Sequence, residues 1–202
     1  MTTKKPAAPK AAAKTDAKPK AAAKPKADAK AAPLVATPIA AQPEFDLFTY
    51  CEISGETRLE HDLLEEIEPR FDGWQQHLKA YRLSAGDEKA PGFVILWLEK
   101  PVEDEIEGIW QDSPSAGMAF HNLAIHMVMS AVQNLVPELA DRGCAPLPKP
   151  DKAVLAAFKK LGLEWSKEGT VNRQFAVFTN MPALASCGTC ILKAKCESPA
   201  KD

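Results

Sequence analysis

The chain has 202 residues, with 25 Lys or Arg against 27 Asp or Glu, and its net charge of −2 hides an asymmetry: residues 1–43 carry nine Lys against Asp16 and Asp28, so a basic arm precedes an acidic body. No stretch approaches the roughly 20 consecutive apolar residues of a membrane span. The five Cys are an odd number at short spacings, which speaks against a disulfide framework and for metal binding in a reducing compartment, so a cytoplasmic location is expected.

The arm repeats Lys-Pro and Lys-Ala-Ala-Ala-Lys units, as in Lys10 to Lys14, Lys18-Pro-Lys20 and Lys20 to Lys24. Ala and Lys favour helix, but Pro every few residues breaks it, and no large apolar side chain before Pro33 offers burial. Residues 1–43 are therefore expected to be disordered. A secretory signal fits poorly, because the weakly apolar stretch 31–41 is interrupted by Pro33 and Pro38. Each Lys can neutralise a phosphate, which gives nonspecific, salt-sensitive affinity for nucleic acid. Without Arg or aromatic residues the arm has no means of base readout or stacking, and a solubilising role is the alternative.

The body, residues 44–180, opens on Phe45 to Ile53, an alternating stretch rich in β-formers that predicts a first strand, with Ser54-Gly55 as a turn. Thr57 and Glu60 form a capping-box pattern ahead of Leu59, Leu63, Leu64 and Ile67. Pro69 is expected to end or restart that helix, and Trp74, Leu78 and Tyr81 to continue as a second short one. Phe93 to Leu98 is a continuous apolar run of strand length, expected at the centre of the sheet, with Pro101 as its stop. Val102 to Trp110 predicts an acidic amphipathic helix, and Ser113-Pro114 the start of the longest helix, reaching about Val136.

Further on, Asp151 caps another predicted helix with Val154, Leu155, Phe158 and Leu161 on one face and Gly162 as its stop. Leu163 to Ser166 and Val171 to Phe178 read as a hairpin joined at Glu168-Gly169. The order of elements is mixed, so the expected class is α+β: a small mixed or antiparallel sheet packed with four to five helices.

Chemistry concentrates in residues 181–202. Cys187, Cys190 and Cys196 stand in a C-x2-C-x5-C pattern, and a tight Cys-Gly-Thr-Cys turn can aim several thiolates at one centre. A fourth ligand has to come from the body. Cys144, in the Gly/Pro-rich loop after the long helix, is the favoured candidate; Cys51 and His121 are the alternatives. Zinc sites usually pair two short knuckles, and only one is present, so a [4Fe–4S] cluster is expected ahead of zinc.

The segment Cys187-Gly-Thr-Cys-Ile-Leu-Lys-Ala-Lys-Cys196 resembles the iron–sulfur loop that closes members of the endonuclease III/adenine glycosylase family. It is also similar to auxiliary-cluster segments of radical enzymes. The resemblance spans about ten residues and implies the cluster type. The first family cysteine would fall at Asn180, and no helix-hairpin-helix loop with a following catalytic Asp is present, so the glycosylase activity is not implied.

On a helical wheel of the long helix, His121 falls among apolar residues, whereas His126 shares a polar arc with Asn122, Ser130, Gln133 and Asn134 and is expected at the surface. Five residues apart, the two cannot form an i, i+4 metal pair. No phosphate-binding Gly loop, G-x-S-x-G or H-E-x-x-H occurs, so no catalytic constellation is identified. The expected function is that of a small iron–sulfur protein with a redox, electron-transfer or structural role and a redox partner protein. The alternative is a nucleic-acid-associated protein with a structural metal site.

Overall fold

The computed structural model describes residues 33–56, 61–86, 90–142, 144–183 and 190–192, without the side chains of 141 and 142. Among them are five α-helices and one four-stranded antiparallel sheet, a mixed α+β architecture. In chain order these are β1 (Val35–Pro38), α1 (Leu47–Ser54), α2 (His61–Trp74), β2 (Leu78–Ser84), β3 (Gly92–Leu98), α3 (Lys100–Asp112), α4 (Pro114–Leu135), α5 (Lys152–Lys160) and β4 (Ala176–Met181). The strands lie in the order β1-β2-β3-β4.

Alternation along the strands sorts two apolar clusters onto opposite faces. Leu78, Ala80, Val94, Leu96, Leu98 and Val177 join residues of α1, α2, α3 and α4 in the larger cluster. Tyr81, Leu83, Phe93, Ile95, Trp97 and Phe178 join Val154, Ala157 and Phe158 of α5 in the smaller. Covered on both sides and flanked by β2 and β4, β3 needs apolar residues at every position, which is why it reads as an unbroken run.

Four expectations are corrected. Phe45 to Ile53 is not a strand: Asp46 caps α1 by accepting from the Thr49 amide at 2.7 Å, and Gly55 ends it at φ 69°. Tyr50, fully buried, ties this short helix to α4 through its hydroxyl, which donates to the Ala119 carbonyl at 3.0 Å. Leu78 and Tyr81 are not helical. They belong to β2 and face opposite clusters, a period of two that the helical reading overlooked. α2 does not stop at Pro69, because Phe71 and Trp74 beyond it are buried and outweigh the roughly 3 kcal/mol that a helical proline costs. Residues 33–43 are not part of a disordered arm: Leu34 and Ala36 pack on the smaller cluster, Ile39 and Ala41 on the larger. Pro38 is tolerated there because β1 is an edge strand.

The other elements follow the sequence closely. Pro101 sits in the first turn of α3, and Ser113 caps α4. Asp151 caps α5 by accepting from the Val154 amide at 2.8 Å. Leu155, expected on the buried face of α5, instead points outward; Val154, Ala157 and Phe158 already fill that face at helical spacing. The hairpin narrows to one bridge between Trp165 and Val171, and the strand proper begins at Ala176. Thr57 and Glu60 lie outside the described residues. Among those described, no helix is long and apolar enough to cross a membrane.

α3 and α4 meet at Gly117, where an added Cβ would lie 2.6 Å from the Trp110 indole. Gly117→Ala is therefore expected to destabilise the protein by about 1–3 kcal/mol, read as a lowered urea midpoint with unchanged slope. An unchanged midpoint would show that α3 can slide to make room.

Candidate metal centre

The connection from α4 to α5 passes through a 3-10 segment, Pro137–Arg142, into Cys144-Ala-Pro-Leu-Pro-Lys-Pro150. Ala145 packs on the larger cluster and Leu147 on the smaller, so this segment crosses from one face of the sheet to the other. It is held to β4 by Thr179, whose fully buried hydroxyl donates to the Pro146 carbonyl at 2.8 Å. Three prolines leave it short of donors. It therefore lies by β4, an edge strand, without extending the ladder.

The C-terminal segment meets this connection. Cys190 forms an antiparallel bridge with Pro148, and the Ile191 amide donates to the Leu147 carbonyl at 2.9 Å. On the other side, the Ile191 side chain comes within 3.3 Å of where a Cβ on Gly169 would stand. Cys190 and Ile191 thus lie between the segment that carries Cys144 and the turn that precedes β4. Cys144 is exposed and Cys190 half-buried.

Cys187 and Cys196 lie outside the described residues. Among the described residues, no three His, Cys, Asp or Glu side chains group closely enough to hold a metal ion. The alternative ligands occupy other surroundings. Cys51 is half-buried on α1 and packs against the larger cluster as a small apolar residue. His121 places its Nδ1 3.5 Å from the Gln174 amide nitrogen and its ring against Phe175, with centroids 5.2 Å apart; burial pushes its pKa down. Asn180, where the glycosylase-type loop would have its first cysteine, lies in β4.

His126 was expected at the surface and is 1% exposed. The polar arc of α4 is covered by the chain between β1 and α1, whose backbone groups require partners. The Asn134 amide donates to the Gln42 carbonyl at 2.7 Å. Ser130 donates to the Glu44 carbonyl at 2.9 Å and accepts from the Glu44 amide at 2.8 Å. His126 Nε2 accepts from the Asp46 amide at 3.2 Å. Residues 42–46 form a strap along positions four apart on α4. Phe45, Tyr50 and Phe71 surround the imidazole, with centroids 5.6, 6.4 and 5.8 Å away.

An imidazole accepting at Nε2 carries its proton on Nδ1, and Nδ1 has no hydrogen-bond partner among the described residues. Burial lowers the His126 pKa, against smaller opposing effects of the Asp46 carboxylate and the Glu44 backbone. The sequence signal that could have exposed this arrangement is the i, i+4, i+8 spacing of His126, Ser130 and Asn134, a stripe as well suited to a crossing chain as to water.

Comparison with family models, with curated proteins and with solved structures gives no match to this chain. The functional reading therefore rests on the residues themselves.

Proposed function

We propose that Cys187, Cys190 and Cys196, completed by Cys144, hold a [4Fe–4S] cluster, and that the protein acts as a small iron–sulfur protein in electron transfer. The observation that carries this reading is the bridge between Cys190 and Pro148, which joins the cysteine tail to the very segment that contains Cys144. The donor set is all thiolate, as such clusters require. The residues suit such a group: three ligands would come from one short stretch of sequence, and the fourth from a loop bridged to that stretch at Cys190. When bound, the cluster would supply one-electron chemistry, while the chain's own share is to gather the thiolates and to shield them from water.

A structural zinc at the same thiolates, with the nine Lys of the arm holding nucleic acid, is the second reading. Anaerobic metal analysis separates them. The protein is expected to be brown and to contain iron, with iron largely lost in Cys144→Ser and fully retained in Cys51→Ser. Stoichiometric zinc in a colourless protein would overturn the cluster, and equal iron in the two variants would overturn Cys144 as ligand. Loss of DNA retention at low salt on deleting residues 1–32 would favour the second reading.

A further inference from the structure

The strap of residues 42–46 runs antiparallel to α4, with Gln42, Glu44 and Asp46 fastened in turn to Asn134, Ser130 and His126. The two elements share a repeat. Two residues of extended chain span about 6.6 Å and four residues of helix about 6 Å, so every second strap residue meets the next turn of α4. Between the fastened positions, Pro43 is buried and Phe45 packs on the larger cluster, whereas Gln42, Glu44 and Asp46 are exposed. The strap thus covers apolar surface with two side chains and is held along its backbone by three side chains of α4.

Of those three, only His126 changes its hydrogen-bonding role between pH 5 and 8. Asn134 donates, and Ser130 donates and accepts, at any pH in that range. Nε2 of His126 accepts from the Asp46 amide at 3.2 Å. Once the ring is protonated both nitrogens carry hydrogen, and the Nε2 hydrogen confronts the amide hydrogen head-on. The imidazole is 1% exposed and its Nδ1 already lacks a partner among the described residues, so a charge there is poorly solvated.

The surroundings leave the strap as the part that yields. From the strap itself, Asp46 and Glu44 are the charged residues, and the Asp46 carboxylate is engaged with the Thr49 amide and hydroxyl as the cap of α1. From α1, Tyr50 presents its ring, and its hydroxyl donates to the Ala119 carbonyl. From α2, Phe71 presents its ring, and the neighbouring Arg70 is turned to Glu66, Glu105 and the Phe120 ring. One turn away on α4, Asn122 and Ser130 are uncharged. α4 itself is packed against α1, α2, α3 and β3.

We infer that residues 42–46 are a pH-sensitive strap: a proton taken up at His126 Nε2 unfastens Asp46 and lets the strap lift from α4 while the sheet stays folded. Water supplies the proton, and no covalent bond of the chain forms or breaks. The imidazolium left behind gains water and the freed Asp46 carboxylate. Lifting uncovers the rings of Phe45, Tyr50 and Phe71, so the released form presents an apolar surface that the closed form hides.

Native-state hydrogen exchange of the full-length chain between about pH 7 and 5 tests this, with rates corrected for the intrinsic pH dependence of amide exchange. The Asp46 amide is expected to lose protection about tenfold per pH unit below about 6.5. It should respond little to low urea, because lifting the strap exposes little surface. The amides of Val94 to Leu98 should be better protected at every pH and depend fully on urea. Equal protection and equal urea dependence at Asp46 and in β3 would overturn the strap, since it would then open only with the whole protein. In His126→Gln, which can accept from the Asp46 amide without titrating, the pH slope at Asp46 should vanish. In Ser130→Ala, which removes the neighbouring fastening and keeps the imidazole, protection of the Glu44 amide should fall about tenfold and the pH slope at Asp46 should remain. A slope that survives in His126→Gln, or one that disappears in Ser130→Ala, would overturn His126 as the sensor.

Discussion

If the proposed metal is bound, its anaerobic removal is expected to raise the hydrogen-exchange rate of the Ile191 amide at least about tenfold and to leave the amides of Val94 to Leu98 unchanged. Among the described residues, 190–192 meet the body through the Cys190–Pro148 bridge with its Ile191 amide bond and through the Ile191 side chain near Gly169, and two of these three residues are large and exposed. So little burial gives low local stability, and thiolate–metal bonds are what would raise it. The interior of β3 is paired on both sides and covered on both faces, and it opens only with the whole protein. Thr179→Val offers an independent handle. It leaves the Pro146 carbonyl without its donor, a change worth about 1–3 kcal/mol at a buried group, and should loosen the same segment with the metal still bound. Unchanged exchange at Ile191 after removal would mean that the metal does not tie the tail down.

His126→Ala is expected to destabilise the protein by about 2–4 kcal/mol, because it empties a site lined by Phe45, Tyr50 and Phe71 and removes the acceptor for the Asp46 amide. The same residue gives an acid signature. Its pKa is lowered in the folded protein, chiefly by burial, so below the unfolded value of about 6.5 the unfolded chain binds the proton more readily. Stability should therefore be full above that pH, decline as pH falls below it, and level off beneath the folded pKa. Asp46 and the Glu44 backbone oppose this shift; Tyr50, pushed up to about 12 by burial, stays neutral throughout. His126→Gln, which can still accept from the Asp46 amide, should flatten the decline measured by urea unfolding between about pH 7 and 5. His121 has the same sign of shift, also from burial, so His121→Gln is the comparison. A slope equal to wild type in His126→Gln would show that another group carries the acid sensitivity.

The helices α3, α4 and α5 were legible because their caps and apolar spacings agree: Ser113-Pro114 and Asp151 open two of them where the sequence indicates. β3 was legible because a strand covered on both faces has to be apolar throughout. α1 was misread because its alternation was weighed above the Asp46 and Gly55 signals that bracket it. β2 was misread because Trp74, Leu78 and Tyr81 keep helical spacing across the end of α2. Residues 33–43 share the arm's Ala and Pro, and only Leu34, Ile39 and their partners in the two clusters set them apart. His126 shows a limit of the helical wheel. A polar stripe says that partners are required, not whether water or a crossing chain supplies them. For the cysteines, spacing proposes three ligands, of which Cys190 alone lies among the described residues, and the Pro148–Cys190 bridge adds a link to the segment of Cys144 that no spacing could reveal.

The four strands are neighbours in the sheet in the order in which they occur in the chain, yet β3 and β4 are separated by α3, α4 and α5. During synthesis β3 therefore waits with one side unpaired while three helices are made, and an apolar strand with a free side invites pairing with another nascent chain. Only when Ala176–Met181 emerges can the sheet be finished, and Cys187, Cys190 and Cys196 emerge after that. Ligand assembly is in this way placed behind completion of the sheet, so that a metal captured by the tail would mark a chain whose core has already closed.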